Sequence, residues 1–125
     1  MILDTNAVSA LSERDPDIPA ALKGQATLFV PVIVIGEYHY GISGSRKRQE
    51  TEAWFNAFLQ TTQTLHLTEE TAQQYAVVRR KLKEAGTPLP ENDVWIAALA
   101  MQFGLPLLSR DAHFDKVAGL RCLHW

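Results

Sequence analysis

At 125 residues, with 46% hydrophobic and 21% charged side chains, the sequence has the composition of one soluble globular domain spanning residues 1–125, and extended disorder is excluded. Twelve Lys and Arg against fourteen Asp and Glu give a net charge of -2, which excludes a protein that coats nucleic acid by charge alone. One cysteine, Cys122, excludes an internal disulfide or a Cys-rich zinc site, so the cytoplasm is the expected compartment.

In chain order, short apolar runs alternate with longer stretches of helical period, the pattern of an α/β domain with a central parallel sheet of four or five strands flanked by helices. The opening Met1-Ile2-Leu3-Asp4 meets an acid at once, so no secretory leader is expected. Strands are expected at 1–3, 28–30, 65–67, 105–108 and 120–123. The longest strongly apolar stretch, 28–35, is interrupted by Pro31 and falls far short of the ~20 residues of a membrane span. Residues 50–60 place Trp54, Phe55, Phe58 and Leu59 on one helical side, and 69–85 do the same with Ala72, Tyr75, Ala76 and Leu82. After Asp93, the run from Val94 to Phe103 leaves almost no polar face, which predicts a central buried helix. Thr87-Pro88-Leu89-Pro90 precedes it, and Gly104 with Pro106 closes it. Loops are expected at 15–19, 41–44 and 86–90.

Four acids stand where an apolar element begins or ends. Asp4 follows Ile2-Leu3, and Asp111 follows Leu107-Leu108 in the same way; in an open parallel sheet, acids beyond two strand ends can face one crevice. Glu37 follows Val32-Ile33-Val34-Ile35-Gly36, and Asp93 opens the apolar helix. Each acid alone could be a helix cap or a turn residue. Capping explains all four together poorly, and Glu37 least.

The segments that carry these acids are Leu3-Asp4-Thr5-Asn6, Gly36-Glu37-Tyr38-His39-Tyr40-Gly41, Asn92-Asp93-Val94-Trp95-Ile96-Ala97-Ala98, and Leu108-Ser109-Arg110-Asp111-Ala112-His113-Phe114. In that order they resemble the PIN-domain family, and within it the VapC-like toxin ribonucleases of type II toxin-antitoxin pairs. The resemblance covers essentially the whole chain. It implies a PIN-like fold and a metal-dependent endoribonuclease that cleaves RNA phosphodiesters. It also implies that Asp4, Glu37, Asp93 and Asp111 bind the divalent metal, with Thr5, Asn6 and Ser109 as polar neighbours and Asp115 as an extra or substitute acid. A homodimer and a small antitoxin partner whose C-terminal segment covers the acidic pocket belong to the same implication. Tyr38 and Trp95 depart from the aliphatic residues usual in the family, both at packing positions.

Elementary electrostatics agrees with a metal. Two carboxylates about 4 Å apart repel by about 4 kcal/mol at an effective dielectric near 20, so four converging acids require a cation. Oxygen ligation favours Mg²⁺ or Mn²⁺. Arg46-Lys47-Arg48 and Arg79 read first as solvated helix faces and otherwise as RNA phosphate contacts, and Arg110, beside Asp111, is a further candidate phosphate contact. Arg79, seven residues after Ala72, either snorkels from the apolar stripe or points toward the site. His39, His66, His113 and His124 share no ligand spacing and read as packing or surface positions. Cys122 reads as a small buried hydrophobe. Tyr38, Tyr40, Trp54 and Phe55 read as core or as a protein interface.

Two other classes compete. A non-catalytic RNA- or protein-binding module would gain nothing from the repulsion of four acids. An aspartate-nucleophile phosphatase wants a second acid two residues after the first, where this chain has Asn6. A phosphoacceptor receiver wants an Asp on a middle strand, and 65–67 offers none. With the four proposed site acids set aside, ten acids face twelve bases, so an acidic pocket sits on a mildly basic body of +2.

Overall fold

A computed structural model describes residues 1–125. In chain order it contains β1 (Ile2–Leu3), α1 (Thr5–Ser12), α2 (Ile18–Leu22), β2 (Phe29–Pro31), α3 (Val32–Ile42), α4 (Arg48–Leu59), β3 (Gln63–Leu65), α5 (Glu69–Glu84), α6 (Glu91–Phe103), β4 (Leu107–Leu108), a 3-10 helix (Ala112–Lys116) and β5 (Cys122–Leu123). All strands are parallel, in the order β3-β2-β1-β4-β5. The central strand β1 is flanked by β2 on one side and β4 on the other, so the strand order reverses there and a crevice opens beyond its carboxyl end. No helix is long and apolar enough to cross a membrane.

Pro31 divides the longest apolar run between two elements. It ends β2 and directly precedes α3, a position where its missing N–H costs nothing. The expectation that Glu37 ends an apolar element is therefore corrected: it lies inside α3, on the turn between the buried Val34 and Tyr38. The loop expected at 41–44 begins later, because α3 runs to Ile42, and α2 starts within the loop expected at 15–19.

The helix expected after Asp93 is α6, with Val94, Ile96, Ala97, Ala98, Leu99 and Ala100 buried. Gly104 ends it in the left-handed conformation at φ 62°, which glycine adopts without strain. The stripe expected on α5 is shifted. Thr71, Val78 and Leu82 are buried while Ala72 and Ala76 are exposed, so helix-helix packing against α6 selects a face about one residue out of phase with the alanines. The third strand is also shifted, to Gln63–Leu65, because Phe29, Val30 and Pro31 of β2 pair with those residues. At this edge of the sheet, Leu67 is 36% exposed. Tyr38, Phe55 and Trp54 form one aromatic cluster in the core, with Tyr38 and Phe55 rings 4.3 Å apart, while Tyr40 is 83% exposed. Cys122 is half-buried.

Candidate active site

The crevice beyond β1 and β4 collects the four acids from four different elements. Asp4 leaves β1 and caps α1, its Oδ1 accepting from the Thr5 N–H at 2.8 Å. Its other oxygen accepts from Ser109 Oγ at 2.6 Å and from Asn6 Nδ2 at 2.9 Å. Asp111 leaves β4 and caps the 3-10 helix, its Oδ1 accepting from the His113 N–H at 2.9 Å. Cap and site position thus coincide for both acids: the turn that ends a strand starts a helix and leaves the carboxylate at the sheet edge.

Ser109 and Asn6 lock these two turns together. The fully buried Ser109 Oγ also accepts from the Asp111 N–H at 2.9 Å, and Asn6 Oδ1 accepts from the Arg110 N–H at 3.1 Å. Thr5 Oγ1 donates to Glu37 Oε1 at 3.1 Å, which ties α3 to the same corner. Asp93 enters from the first turn of α6.

Burial pushes the Asp4 carboxyl above its ordinary value, against hydrogen bonds from Ser109, Thr5 and Asn6, and the Asp111 charge adds to the rise. Burial likewise raises Glu37, opposed by Thr5 and Asn92 and reinforced by Asp4. Asp93 is pushed up to about 6 by burial and by the Asp4, Asp111 and Glu37 charges, with His113 pulling it back. Asp4, Glu37 and Asp93 therefore each feel a neighbouring negative charge, an arrangement that a bound cation would relieve. The acidic, oxygen-rich donor set fits a hard divalent metal.

Two residues that spacing did not single out belong here. Asn92, beside Asp93 at the start of α6, holds the Glu37 carboxyl down against the rise that burial imposes. His113, expected at a packing or surface position, places Nδ1 3.1 Å from Asp111 Oδ1 and 3.5 Å from Asp93 Oδ2. The available signal was its place two residues after Asp111, where a single turn returns the side chain to the crevice. Asp115 faces elsewhere, 2.8 Å from His124 Nε2, so it is no substitute for Asp111 in this arrangement.

The basic candidates separate. Lys47 lines a groove of about 510 Å³ that starts at Thr5 and Glu37 and passes Ser45 and Thr51. Arg46 and Arg48 border a separate exposed depression, and Arg48 pairs with Glu52 at 3.2 Å. Arg79 is corrected: it is exposed and turns back along α5 to donate to Tyr75 Oη and lie over that ring. Arg110 pairs with Asp15 and lies 4.4 Å over the Trp125 ring, so its guanidinium is engaged away from the crevice.

Comparison with known proteins bears on the family and the fold. The PIN domain family model matches residues 1–120. A Haemophilus influenzae protein named Ribonuclease VapC2 is 30% identical over 127 residues, covering 99% of this chain and 96% of the relative. Among solved structures, VapBC2 from Rickettsia felis bound to a promoter DNA fragment superposes with a TM-score of 0.90 at 22% identity, covering 99% of this chain and 97% of that one. DNA-bound VapBC from Salmonella typhimurium gives a TM-score of 0.88 at 23% identity, covering 99% and 96%. The chain belongs to the PIN domain family, and its relatives there include ribonucleases of the VapC type.

Proposed function

We propose that this protein is an endoribonuclease that cleaves RNA phosphodiesters with Mg²⁺ or Mn²⁺, acting as the toxin of a type II toxin-antitoxin pair. The observation that carries the reading is the convergence of Asp4, Glu37, Asp93 and Asp111 at the strand-order reversal, with three of the four carboxyls raised by burial and mutual charge. A fold without a cation to neutralise them would carry that repulsion for no gain.

These four acids would hold the metal, while Thr5, Asn6 and Ser109 orient Asp4 and Glu37 by the hydrogen bonds described. When bound, such an ion acidifies a water nucleophile and offsets negative charge on the departing oxygen. The groove past Lys47 offers the substrate backbone a cationic contact beside hydroxyl donors, so that a phosphate chain can reach an otherwise repellent pocket. The named relatives are ribonucleases, and a solved VapBC structure from Mycobacterium tuberculosis is described as a member of a family of toxin-antitoxin systems; these support an RNA substrate and an antitoxin partner.

The test is incubation of purified protein with structured and single-stranded RNA. Cleavage is expected with Mg²⁺ or Mn²⁺, is lost with EDTA, and is lost in folded Asp4→Asn and Asp93→Asn variants. Cleavage that survives EDTA, or native rates in both variants, overturns the reading.

A further inference from the structure

His113 brings the one imidazole among the four acids of the crevice. One ligand atom from each of Asp93, Asp111 and His113 lies within 4.8 Å of the others. The ring nitrogen faces the gap between two carboxylates rather than pairing with one, at 3.1 Å and 3.5 Å. A dication bound at about 2.1 Å to nitrogen and oxygen separates neighbouring ligand atoms by about 3.0 Å in octahedral and about 3.4 Å in tetrahedral geometry. The two His113 separations match such edges without rearrangement. The backbone that carries the ring is held in place: the His113 main-chain N–H binds Asp111 Oδ1, and Phe114, fully buried beside it, anchors the 3-10 helix to the core.

We infer that His113 Nδ1 is a metal ligand of this centre, together with Asp93 and Asp111, and that it biases the site toward Mn²⁺ over Mg²⁺. The inference rests on the metal-dependent reading above and adds to it the donor that sets metal preference. Imidazole is a poor partner for Mg²⁺, which prefers oxygen donors and keeps its waters, and a better one for first-row transition ions. The competing role for His113 is an imidazolium counter-ion that leaves when a metal arrives. The two roles differ in whether nitrogen remains bonded in the loaded site.

The experiment is pulsed electron paramagnetic resonance of the full chain with one equivalent of Mn²⁺, alongside titration of Mn²⁺ and Mg²⁺ binding. Wild type is expected to show ¹⁴N modulation from a bound imidazole. His113→Gln should lose it, with Mn²⁺ affinity down about tenfold or more and Mg²⁺ affinity changed little. His124→Gln should keep the modulation, which excludes the other exposed ring near β5. Thermal melts of His113→Gln and His113→Ala establish that the variants fold. Mn²⁺ that binds, is lost in Asp93→Asn and shows no ¹⁴N coupling overturns the ligand role while the metal-dependent nuclease stands. Failure of wild type to bind Mn²⁺ or Mg²⁺ overturns both.

Discussion

Ser109 does more for the crevice than any other uncharged residue. Its buried hydroxyl donates to Asp4 at 2.6 Å and receives the Asp111 N–H at 2.9 Å, so one oxygen fixes two acids that lie more than a hundred positions apart in sequence. Ser109→Ala removes both partners at once and leaves a buried carboxylate short of a donor, which costs about 1–3 kcal/mol. A urea midpoint lowered by that amount is the expected result, together with slower RNA cleavage per folded molecule. Unchanged stability would mean that water replaces the hydroxyl without loss. Asn6 is the neighbouring stitch, and its two ends serve different masters: the amide nitrogen binds Asp4 and Ser109, while the oxygen receives the Arg110 N–H. Thr5, Asn6 and Ser109 were recognisable as polar companions from the motifs that contain them. Asn92 and His113 were not, because one is adjacent to a stronger candidate and the other lacks a second histidine at ligand spacing.

At the scale of elements, α5 and α6 form a packed pair whose start is chemically defined. Thr68 caps α5, and Thr71 reciprocates by accepting from the Thr68 N–H at 3.0 Å and donating to Gln102 on α6 at 2.6 Å. Thr68→Ala should cost about 1 kcal/mol. Cleavage by the folded fraction should be unchanged, since the cap touches none of the acids. A single-turnover assay beside a denaturation curve separates these outcomes, and a fall in the chemical step would show that α5 transmits strain to the crevice. The same pair shows what sequence can and cannot locate. Both ends of α6 were legible because Pro90 restricts the backbone before it and Gly104 permits the left-handed turn after it, and neither effect needs a tertiary contact. The buried face of α5 was not, because Thr71 packs as a buried polar residue while the alanines that mimic an apolar stripe face solvent. Strands of two and three residues carry too little pattern to fix their limits, and β3 takes its position from pairing with β2. Glu37 was legible as a site acid but not as a helical one, since Pro31 hides the change from strand to helix within one apolar run.

For the whole molecule, the net charge of -2 divides into an acidic crevice and a mildly basic remainder. Lys47 is the one Lys or Arg lining the groove that reaches Glu37, so Lys47→Glu should weaken RNA binding and lower the slope of affinity against salt by about one, without altering cleavage once substrate is saturating. An unchanged slope would place the RNA path elsewhere. The crevice has a separate consequence for stability. Asp93 holds its proton up to about 6 in the folded chain and to 3.8 in an unfolded one, so between those values the native state binds more protons, and its stability falls as pH rises. Asp4 and Glu37 act in the same direction. His124, raised by Asp115, stabilises below 6.5 and loses that contribution only at higher pH, so it leaves this window alone. Asp15, lowered by the Asp17 N–H, loses its contribution only as pH falls below the ordinary carboxylate range. Comparison with Asp93→Asn isolates the effect. Without metal, the variant should melt at nearly the same temperature as wild type near pH 4 and several degrees higher near pH 6.5, the gap corresponding to on the order of 2 kcal/mol. Saturating Mn²⁺ should reverse the order, because the wild-type carboxylates bind the ion only when ionised and the variant has lost a ligand. A gap that is flat with pH, or that Mn²⁺ leaves in place, would separate Asp93 from both the repulsion and the metal.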